Sequence, residues 1–250
     1  MNASKVSHMN PVPLFAGTLL NLAIPAVCYL CHRRISMQKE CLCPYCFSYL
    51  ERKKNLLKGE DELGQRYFYR AASLYDYGHI VREMLHIYKY RSIKQIGRFF
   101  SEIAVDVLRA EYQEFVDVEG IVAVPMHKKR YKERTFDHAR FMANIIAKSF
   151  NLKDFSSKVK KSVHSEKQAL LDFDKRLKNP LNSFKIKDNS MFQNKTILVI
   201  DDIFTTGATA NALSHVLIEN GVKRVYIFVI AAGDKKVQRY RIKNSSMRAR

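Results

Sequence analysis

A short apolar run followed by acids and threonines is the feature that most restricts how this chain can fold. Residues 197–200 (Ile-Leu-Val-Ile) lead directly into Asp201 and Asp202. An all-apolar run of this length is typical of a strand that is buried on both faces of a parallel sheet. Residues 203–209 then combine threonines with Gly207 and open a stretch with helical periodicity. The segment therefore predicts a strand, a tight turn and a helix, with two carboxylates at the carboxyl end of the strand.

The neighbouring segments extend this pattern into an open α/β fold. Residues 121–124 form a second all-apolar run, which ends at Pro125, and residues 225–231 form a third. A helix predicted over 207–220, with Gly221 as its C-terminal stop, connects the last two strands as a βαβ crossover. Amphipathic helices are predicted at residues 79–90, 93–107 and 136–150, and an aromatic-rich strand at residues 66–75. The predicted fold class is α/β, a parallel sheet flanked by helices.

The acidic pair and the turn after it suit a sugar phosphate. Open α/β sheets bind ligands at the carboxyl ends of their strands. The N-terminus of the following helix presents backbone N–H groups and the positive end of the helix dipole to an anion. Asp201 and Asp202 can accept hydrogen bonds from ribose hydroxyls, while the threonine turn holds a phosphate. The alternative is an acidic turn with threonine caps and no ligand.

The five cysteines lie within nineteen residues of each other, at positions 28, 31, 41, 43 and 46. An odd, clustered set argues against a disulfide framework and fits a reducing compartment. Two pairs have the two-residue spacing of metal knuckles, and four thiolates make the closed tetrahedral site of structural Zn²⁺. The predicted ligands are Cys28, Cys31, Cys43 and Cys46. Cys41 is the spare thiol and an alternative to Cys43, and free or redox-active thiols are the alternative to a metal.

Charge is the compositional outlier, since 43 Lys and Arg residues against 24 Asp and Glu give a net charge of +19. Such an excess repels itself unless an anionic partner offsets it. Nucleic acid, phosphorylated metabolites and an anionic membrane surface are therefore candidate partners, and a merely solvated basic surface is the alternative. The apolar stretch 14–27 is interrupted by polar residues and too short to span a bilayer, so no membrane insertion is predicted.

These patterns divide the chain into three predicted parts. Residues 1–60 comprise an N-terminal arm and a small zinc-finger module. Residues 61–235 form the α/β domain, and residues 236–250 form a basic tail.

The segment 197–209 closely resembles the phosphoribosyl pyrophosphate-binding motif of type I phosphoribosyltransferases. In that family the acidic pair contacts the ribose hydroxyls and the loop binds the 5′-phosphate, while Mg²⁺, a hard cation that prefers oxygen ligands, accompanies the pyrophosphate. Phe204 is bulkier than the aliphatic residue usual at its position. The resemblance implies that phosphoribosyl pyrophosphate is bound by Asp201, Asp202, Thr205, Thr206, Gly207, Ala208 and Thr209.

Together with the cysteine pairs, further motifs make residues 26–232 similar to the ComF family, also called competence protein F. These motifs are Tyr77-Gly78, Lys89-Tyr90-Arg91, Val124-Pro125-Met126-His127, Arg130, Arg134, Gln168, Leu171, Arg176 and Asn179. The resemblance implies a type I phosphoribosyltransferase-like domain behind a zinc module with four cysteine ligands. It also implies a cytoplasmic protein of natural transformation that acts on incoming single-stranded DNA with a DNA-uptake helicase as partner. The family's Arg-Gly-Phe-Asn-Gln is replaced here by residues 134–138, Arg-Thr-Phe-Asp-His.

The resemblance also assigns a role to the basic loop after the strand at 121–124. Phosphoribosyltransferases place their pyrophosphate loop there, and arginine suits bidentate phosphate contacts better than lysine. The residues implied are Met126, His127, Lys128, Lys129, Arg130 and Arg134. A solvated basic helix start is the alternative. Residues 158–179 would correspond to the flexible lid of the family.

Two functional hypotheses remain open. The favoured one is a DNA-uptake protein that keeps the phosphoribosyl pyrophosphate site and binds single-stranded DNA through its charge and through aromatic stretches such as residues 67–70. The other is an active phosphoribosyltransferase, for which the sequence reveals neither the acceptor nor a catalytic residue. Pyrophosphate release that depends on one nucleobase or amine would favour the enzyme, and binding without release would favour the DNA-uptake protein.

Overall fold

The computed structural model describes most of the chain between residues 26 and 233. The described residues are 26–36, 41–50, 52–58, 66–111, 115, 117–126, 136–161 and 183–233. The N-terminal arm before residue 26, most of the predicted lid and the basic tail lie outside them.

Eight strands and five α-helices are assigned within the described residues. The strands are β1 (Arg52–Lys58), β2 (Arg70–Asp76), β3 (Gly120–Ala123), β4 (Lys153–Asp154), β5 (Val159–Lys161), β6 (Phe184–Ile186), β7 (Thr196–Phe204) and β8 (Arg224–Ala232). The helices are α1 (Pro44–Ser48), α2 (His79–Arg91), α3 (Lys94–Glu111), α4 (His138–Phe150) and α5 (Ala208–Glu219).

Six of these strands form one sheet in the order β1-β2-β8-β7-β3-β4. The five strands from β2 to β4 in that order run parallel, and β1 is antiparallel to β2 at the edge. Strands β5 and β6 form a separate antiparallel pair. The α/β fold with a parallel sheet is therefore confirmed, as is the β7-α5-β8 crossover.

Strand β7 is central because apolar side chains cover both of its faces. Successive strand residues point to opposite sides of a sheet. Leu198 and Ile200 belong to the buried cluster that includes residues of α2, α3 and α4, whereas Ile197 and Val199 belong to the cluster that includes residues of α5, β5 and β6. Helices α2, α3 and α4 thus cover one face, and α5 with the small β5–β6 pair covers the other.

The structure differs from the sequence predictions at the sheet edge. Residues Arg52–Lys58, predicted as part of the N-terminal module, form β1 and pair with β2. An edge strand has one neighbour and needs no continuous apolar run, so its strongly basic sequence, RKKNLLK, carries no periodic signal. The boundary between module and α/β domain stays a prediction.

The segment 151–190, part of which the resemblance assigns to a flexible lid, also contains regular structure. It contributes β4 to the large sheet, and β5 and β6 form the small antiparallel pair. These strands are only two or three residues long, too short for an alternating pattern to be recognised. Residues 162–182 lie outside the described residues.

Candidate functional site

The predicted acidic pair lies within the last residues of the central strand rather than after it. β7 continues past Ile200 to Phe204, with Asp201 opposite Val229 and Phe204 opposite Ala232 of β8. As consecutive residues of a strand, Asp201 and Asp202 point to opposite faces of the sheet. The two carboxylates therefore meet different surroundings at the carboxyl edge of the sheet.

Asp202 forms an ion pair with a lysine that sequence analysis did not connect to it. The Lys89 Nζ lies 2.6 Å from Asp202 Oδ2, and the side chains are only 13% and 18% exposed. Charge-assisted contacts of this length are about twice as strong as neutral hydrogen bonds. Lys89 belongs to a motif of the ComF resemblance, but that motif gives it no role.

The residue before Lys89 anchors the end of α2. The hydroxyl of Tyr88, which is fully buried, donates to the backbone carbonyl of His138 at 2.9 Å. In return, His138 Nε2 lies 2.9 Å from the carbonyl oxygen of Tyr88. This reciprocal contact ties α2 to the start of α4 and fixes the position from which Lys89 reaches Asp202.

The other carboxyl group, Asp201, has an unusually high pKa. Burial and the negative charge of Asp202 raise the pKa of Asp201 to about 8. A hydrogen bond from the Asp202 N–H and the positive charges of Lys89 and Lys161 oppose this rise but do not cancel it. The Asp202 N–H donates to Asp201 Oδ1 at 2.8 Å. Near neutral pH, the site therefore combines a protonated Asp201 with an Asp202 that is paired to Lys89. A neutral carboxyl can donate as well as accept a hydrogen bond, which suits sugar hydroxyls.

This pKa predicts a characteristic pH dependence of stability. An aspartate in the unfolded chain has a pKa of about 3.9, so between about pH 4 and pH 8 folded Asp201 holds a proton that the unfolded chain has released. Folding stability then falls as the pH rises through this window. We expect Asp201→Asn, which cannot ionise, to raise the melting temperature relative to the parent chain most strongly at about pH 8 to 9. The difference should shrink towards about pH 4, and an offset independent of pH in thermal melts would contradict this assignment.

The loop after β7 is shaped by one glycine and one phenylalanine. Gly207 has a φ of 75°, and a Cβ at this position would lie 2.6 Å from Cζ of Phe204. Phe204 is buried and packs edge-to-face on Phe68 with ring centroids 6.0 Å apart. Phe204, the bulky residue that departs from the phosphoribosyltransferase pattern, thus packs beneath the loop. It leaves no space for a side chain at position 207.

The predicted phosphate-binding residues surround the start of α5. Thr205, Thr206, Ala208 and Thr209 are exposed, and Gly207 is partly buried. Gly207 is the N-cap and supplies no side-chain acceptor, while the Ala208 N–H donates to Thr206 Oγ1 at 3.3 Å. The helix therefore begins at exposed residues only a few positions after the two acids, an arrangement that suits an anion.

The predicted pyrophosphate loop is described only at its ends. Met126 follows β3 and is partly buried, whereas His127, Lys128, Lys129, Arg130 and Arg134 lie outside the described residues. Their role stays a prediction.

Asp137 connects the two ends of this loop. Its carboxylate caps α4 by accepting from the Arg140 N–H at 3.0 Å. Burial raises the pKa of Asp137, although hydrogen bonds from the Arg140, Met126 and Ala139 N–H groups oppose the rise. Asp137 thus bonds to residues on both sides of the loop. Where the family has Asn and Gln, this chain has Asp137 and His138. Asp137 caps α4, and His138 bonds to Tyr88.

Four cysteines converge in the N-terminal module. The sulfurs of Cys28, Cys31, Cys43 and Cys46 all lie within 4.8 Å of one another. Four thiolates at such distances match the ligand set of a structural zinc site. Cys41 is buried as well, yet it lies outside this group. Burial raises the pKa of Cys41 to about 12, so it stays a thiol at neutral pH.

Backbone donors support the cysteine group. Burial opposes ionisation of Cys28, but hydrogen bonds from the backbone of Cys31, Cys43 and Leu30 outweigh it and lower the pKa of Cys28 to about 7. The Cys46 N–H donates to Cys43 Sγ at 3.4 Å. Such donors orient ligands and stabilise thiolates. The described residues thus fit a metal such as zinc.

Comparison with known proteins relates these features to a family. The model of the phosphoribosyl transferase domain matches residues 136–248. DNA utilization protein YhgH of Escherichia coli K12 is 22% identical over 230 residues, covering 84% of this chain and 98% of that protein. Competence protein ComFC of Bacillus subtilis is 28% identical over 149 residues, covering 60% and 58% of the two chains. Competence protein F of Haemophilus influenzae is 25% identical over 114 residues, covering 45% and 50%.

Over much of its length, the chain is similar to proteins named for competence or DNA utilization. The ComF resemblance predicted from its motifs is thereby confirmed, together with the phosphoribosyltransferase-like fold. The domain match spans β7, the threonine loop and α5 of this chain, so it contains the complete acidic motif. In the described part of the chain, no helix combines the length and apolar character needed to cross a membrane.

Proposed function

We propose that this protein is a cytoplasmic ComF-like protein of DNA uptake that binds phosphoribosyl pyrophosphate and single-stranded DNA. Its similarity to proteins of competence and DNA utilization supports the role in DNA uptake. The observation that carries ligand binding is the juxtaposition of Asp201, Asp202 and Lys89 with the uncapped start of α5.

Each part of the proposed site has a separate task. Asp201 and Asp202 hydrogen-bond the ribose hydroxyls, and Lys89 holds Asp202 in place. The loop from Thr205 to Thr209 receives the 5′-phosphate. Mg²⁺, when bound with the ligand, offsets the charge of the pyrophosphate. The cysteine group holds a structural Zn²⁺ that stabilises the small module.

Calorimetric titration of the zinc-loaded chain with phosphoribosyl pyrophosphate and Mg²⁺ tests the ligand. A parallel assay for pyrophosphate release with a panel of nucleobases and amines tests the alternative, an active phosphoribosyltransferase. Binding without release supports a protein that retains the site for recognition. Release that depends on one acceptor would instead identify the chain as an enzyme, because positioning and charge stabilisation are the main requirements of that reaction.

Binding of single-stranded DNA should depend strongly on salt. The net charge of +19 and the lack of a recognisable base-reading motif in the sequence favour contacts to phosphates. Each neutralised phosphate contributes a slope of about −0.7 to a plot of log affinity against log salt concentration. Fluorescence anisotropy of a labelled oligonucleotide at several salt concentrations measures this slope. A flat response, or a strong preference for one base sequence, would contradict a mainly electrostatic interaction.

The aromatic stretch at residues 67–70 contributes less to such binding than its sequence suggests. Phe68 is buried, and the Tyr67 ring contacts His215 at a centroid distance of 4.2 Å. The Tyr69 ring is exposed but already contacted by Arg224 and Arg70, at 4.7 and 5.5 Å from its centroid. Only part of the ring surface of this stretch is therefore open to a nucleic acid.

A further inference from the structure

Two tyrosines of the N-terminal module form an exposed aromatic surface outside the ligand site. Tyr45 in α1 and Tyr49 at its C-cap are four residues apart and so share one face of the helix. Their ring centroids are 5.1 Å apart with an interplanar angle of 66°, and their hydroxyl oxygens are 3.3 Å apart. Both residues are more than half exposed, at 55% and 57%.

The surroundings of these rings are basic. The guanidinium carbon of Arg33 lies 5.0 Å from the Tyr45 ring centroid, and His32, Arg33 and Arg34 are all exposed. The described residues of the module, 26–36 and 41–50, contain neither Asp nor Glu. Within the described residues of the module, this surface therefore combines π-faces with positive charge and no acidic side chain.

The opposite side of α1 is fixed to the rest of the protein. Cys46 is buried within the cysteine group, and Phe47 packs edge-to-face on Phe99 of α3 with centroids 6.2 Å apart. The Tyr49 N–H donates to the carbonyl of Cys46 at 3.3 Å. Because the backbone is held by the cysteine group and by α3, little backbone entropy is lost when a ligand stacks on the tyrosines.

We propose that Tyr45 and Tyr49, with Arg33 beside them, form a base-stacking platform for single-stranded DNA. This proposal rests on the DNA-binding part of the proposed function and assigns a surface to it. Base–aromatic stacking tolerates any sequence because every base has a π-face, and arginine adds cation–π attraction and phosphate contact. The platform supplies the base contacts, while the overall charge supplies the salt-dependent contacts to phosphates.

Stacking can be observed directly because the chain contains no tryptophan. Tyr45→Trp creates a single indole at the platform, and Tyr69→Trp creates one at a similarly exposed tyrosine that already contacts two arginines. We expect an unlabelled oligothymidylate of about twenty nucleotides, longer than a typical single-strand site, to quench the emission of Tyr45→Trp strongly and that of Tyr69→Trp weakly. Equal quenching of both variants, or none at position 45, would overturn the proposal.

Affinity measurements separate stacking from charge. An abasic strand of equal length carries the same phosphates but offers nothing to stack. We expect the parent chain to bind oligothymidylate about tenfold or more tightly than the abasic strand. Tyr45→Ala/Tyr49→Ala should lose this preference while keeping its affinity for the abasic strand, whereas Tyr45→Phe/Tyr49→Phe and Tyr69→Ala should retain it.

The outcomes distinguish this proposal from the function on which it rests. A parent chain that binds neither strand would remove the DNA-binding function and the platform with it. A parent chain that binds both strands equally, or an alanine pair that keeps the preference, would overturn the platform alone. Zinc content and melting temperature of each variant verify that the module is folded. If the alanine double variant does not fold, the Phe and Trp variants still test the platform.

Discussion

Loss of one zinc ligand is expected to unfold the N-terminal module while the sheet remains folded. Cys28→Ser and Cys43→Ser each remove a thiolate from the group of four sulfurs. The described part of the module is small and buries little apart from its cysteines and Leu42, so metal binding must provide most of its stability. In zinc-finger peptides, binding of structural zinc contributes about 10–16 kcal/mol to the free energy of folding. We therefore expect both variants to lose zinc and to become protease-sensitive between residues 26 and 50.

Cys41→Ala is the matched control for this experiment. Cys41 is as buried as Cys28, Cys43 and Cys46 but lies outside the group of four sulfurs, so this variant should keep about one zinc per chain. Metal analysis of protein purified without a metal-affinity step measures the zinc content, and limited proteolysis maps the unfolded region. A parent chain without zinc, or a Cys41→Ala variant as zinc-poor as Cys43→Ser, would contradict the assigned ligand set.

Removal of both carboxyl groups at the end of β7 is expected to weaken phosphoribosyl pyrophosphate binding strongly. A hydrogen bond to a charged group contributes about 1.5–3 kcal/mol and one to a neutral group about 0.5–1.5 kcal/mol, so in Asp201→Ala/Asp202→Ala losing the bonds to Asp202 and to protonated Asp201 should weaken binding about thirtyfold or more. Stability should change little, because removing Asp201 also removes the cost of burying its carboxyl group, which offsets the loss of the Lys89–Asp202 ion pair. The apolar core of the strand, Ile197 to Ile200, is untouched.

Asp117→Asn controls for a general loss of negative charge. Asp117 binds Arg224 at 2.9 Å near the start of β8, at the opposite end of the parallel strands. We expect this variant to bind the ligand like the parent chain. Calorimetric titration and a melting curve on the same samples make the comparison. A folded double variant with unchanged affinity would show that the ligand site lies elsewhere, and an unfolded one would show that the acids are structural.

The parts of the fold that the sequence predicts well are those with continuous apolar runs and clear helix ends. Predicted and observed bounds of β7, α5 and β8 agree within a few residues because buried parallel strands are apolar on both faces and Gly221 stops the helix. The predicted end of β7, at Ile200, is too early. Two consecutive acids disfavour a strand, but pairing with β8 continues to Ala232 and overrides this preference.

The features that the sequence does not reveal depend on contacts between distant segments. The Lys89–Asp202 ion pair joins residues that are far apart along the chain, and no local pattern marks such a pair. His138 departs from a family motif, and its contact with Tyr88 becomes visible only once α2 and α4 are packed together. The sequence does not predict strand β1 because an edge strand does not need the continuous apolar run that marks a buried strand.

The most direct test of the central claim is the binding stoichiometry of phosphoribosyl pyrophosphate on the zinc-loaded parent chain. Calorimetric titration in the presence of Mg²⁺ is predicted to show saturable binding of one ligand per chain, because the carboxyl end of β7 offers one acidic pair beside one helix start. Ribose 5-phosphate should compete for this site, since it carries the same hydroxyls and 5′-phosphate. Absence of saturable binding at millimolar ligand would contradict the assignment of this edge of the sheet as the ligand site.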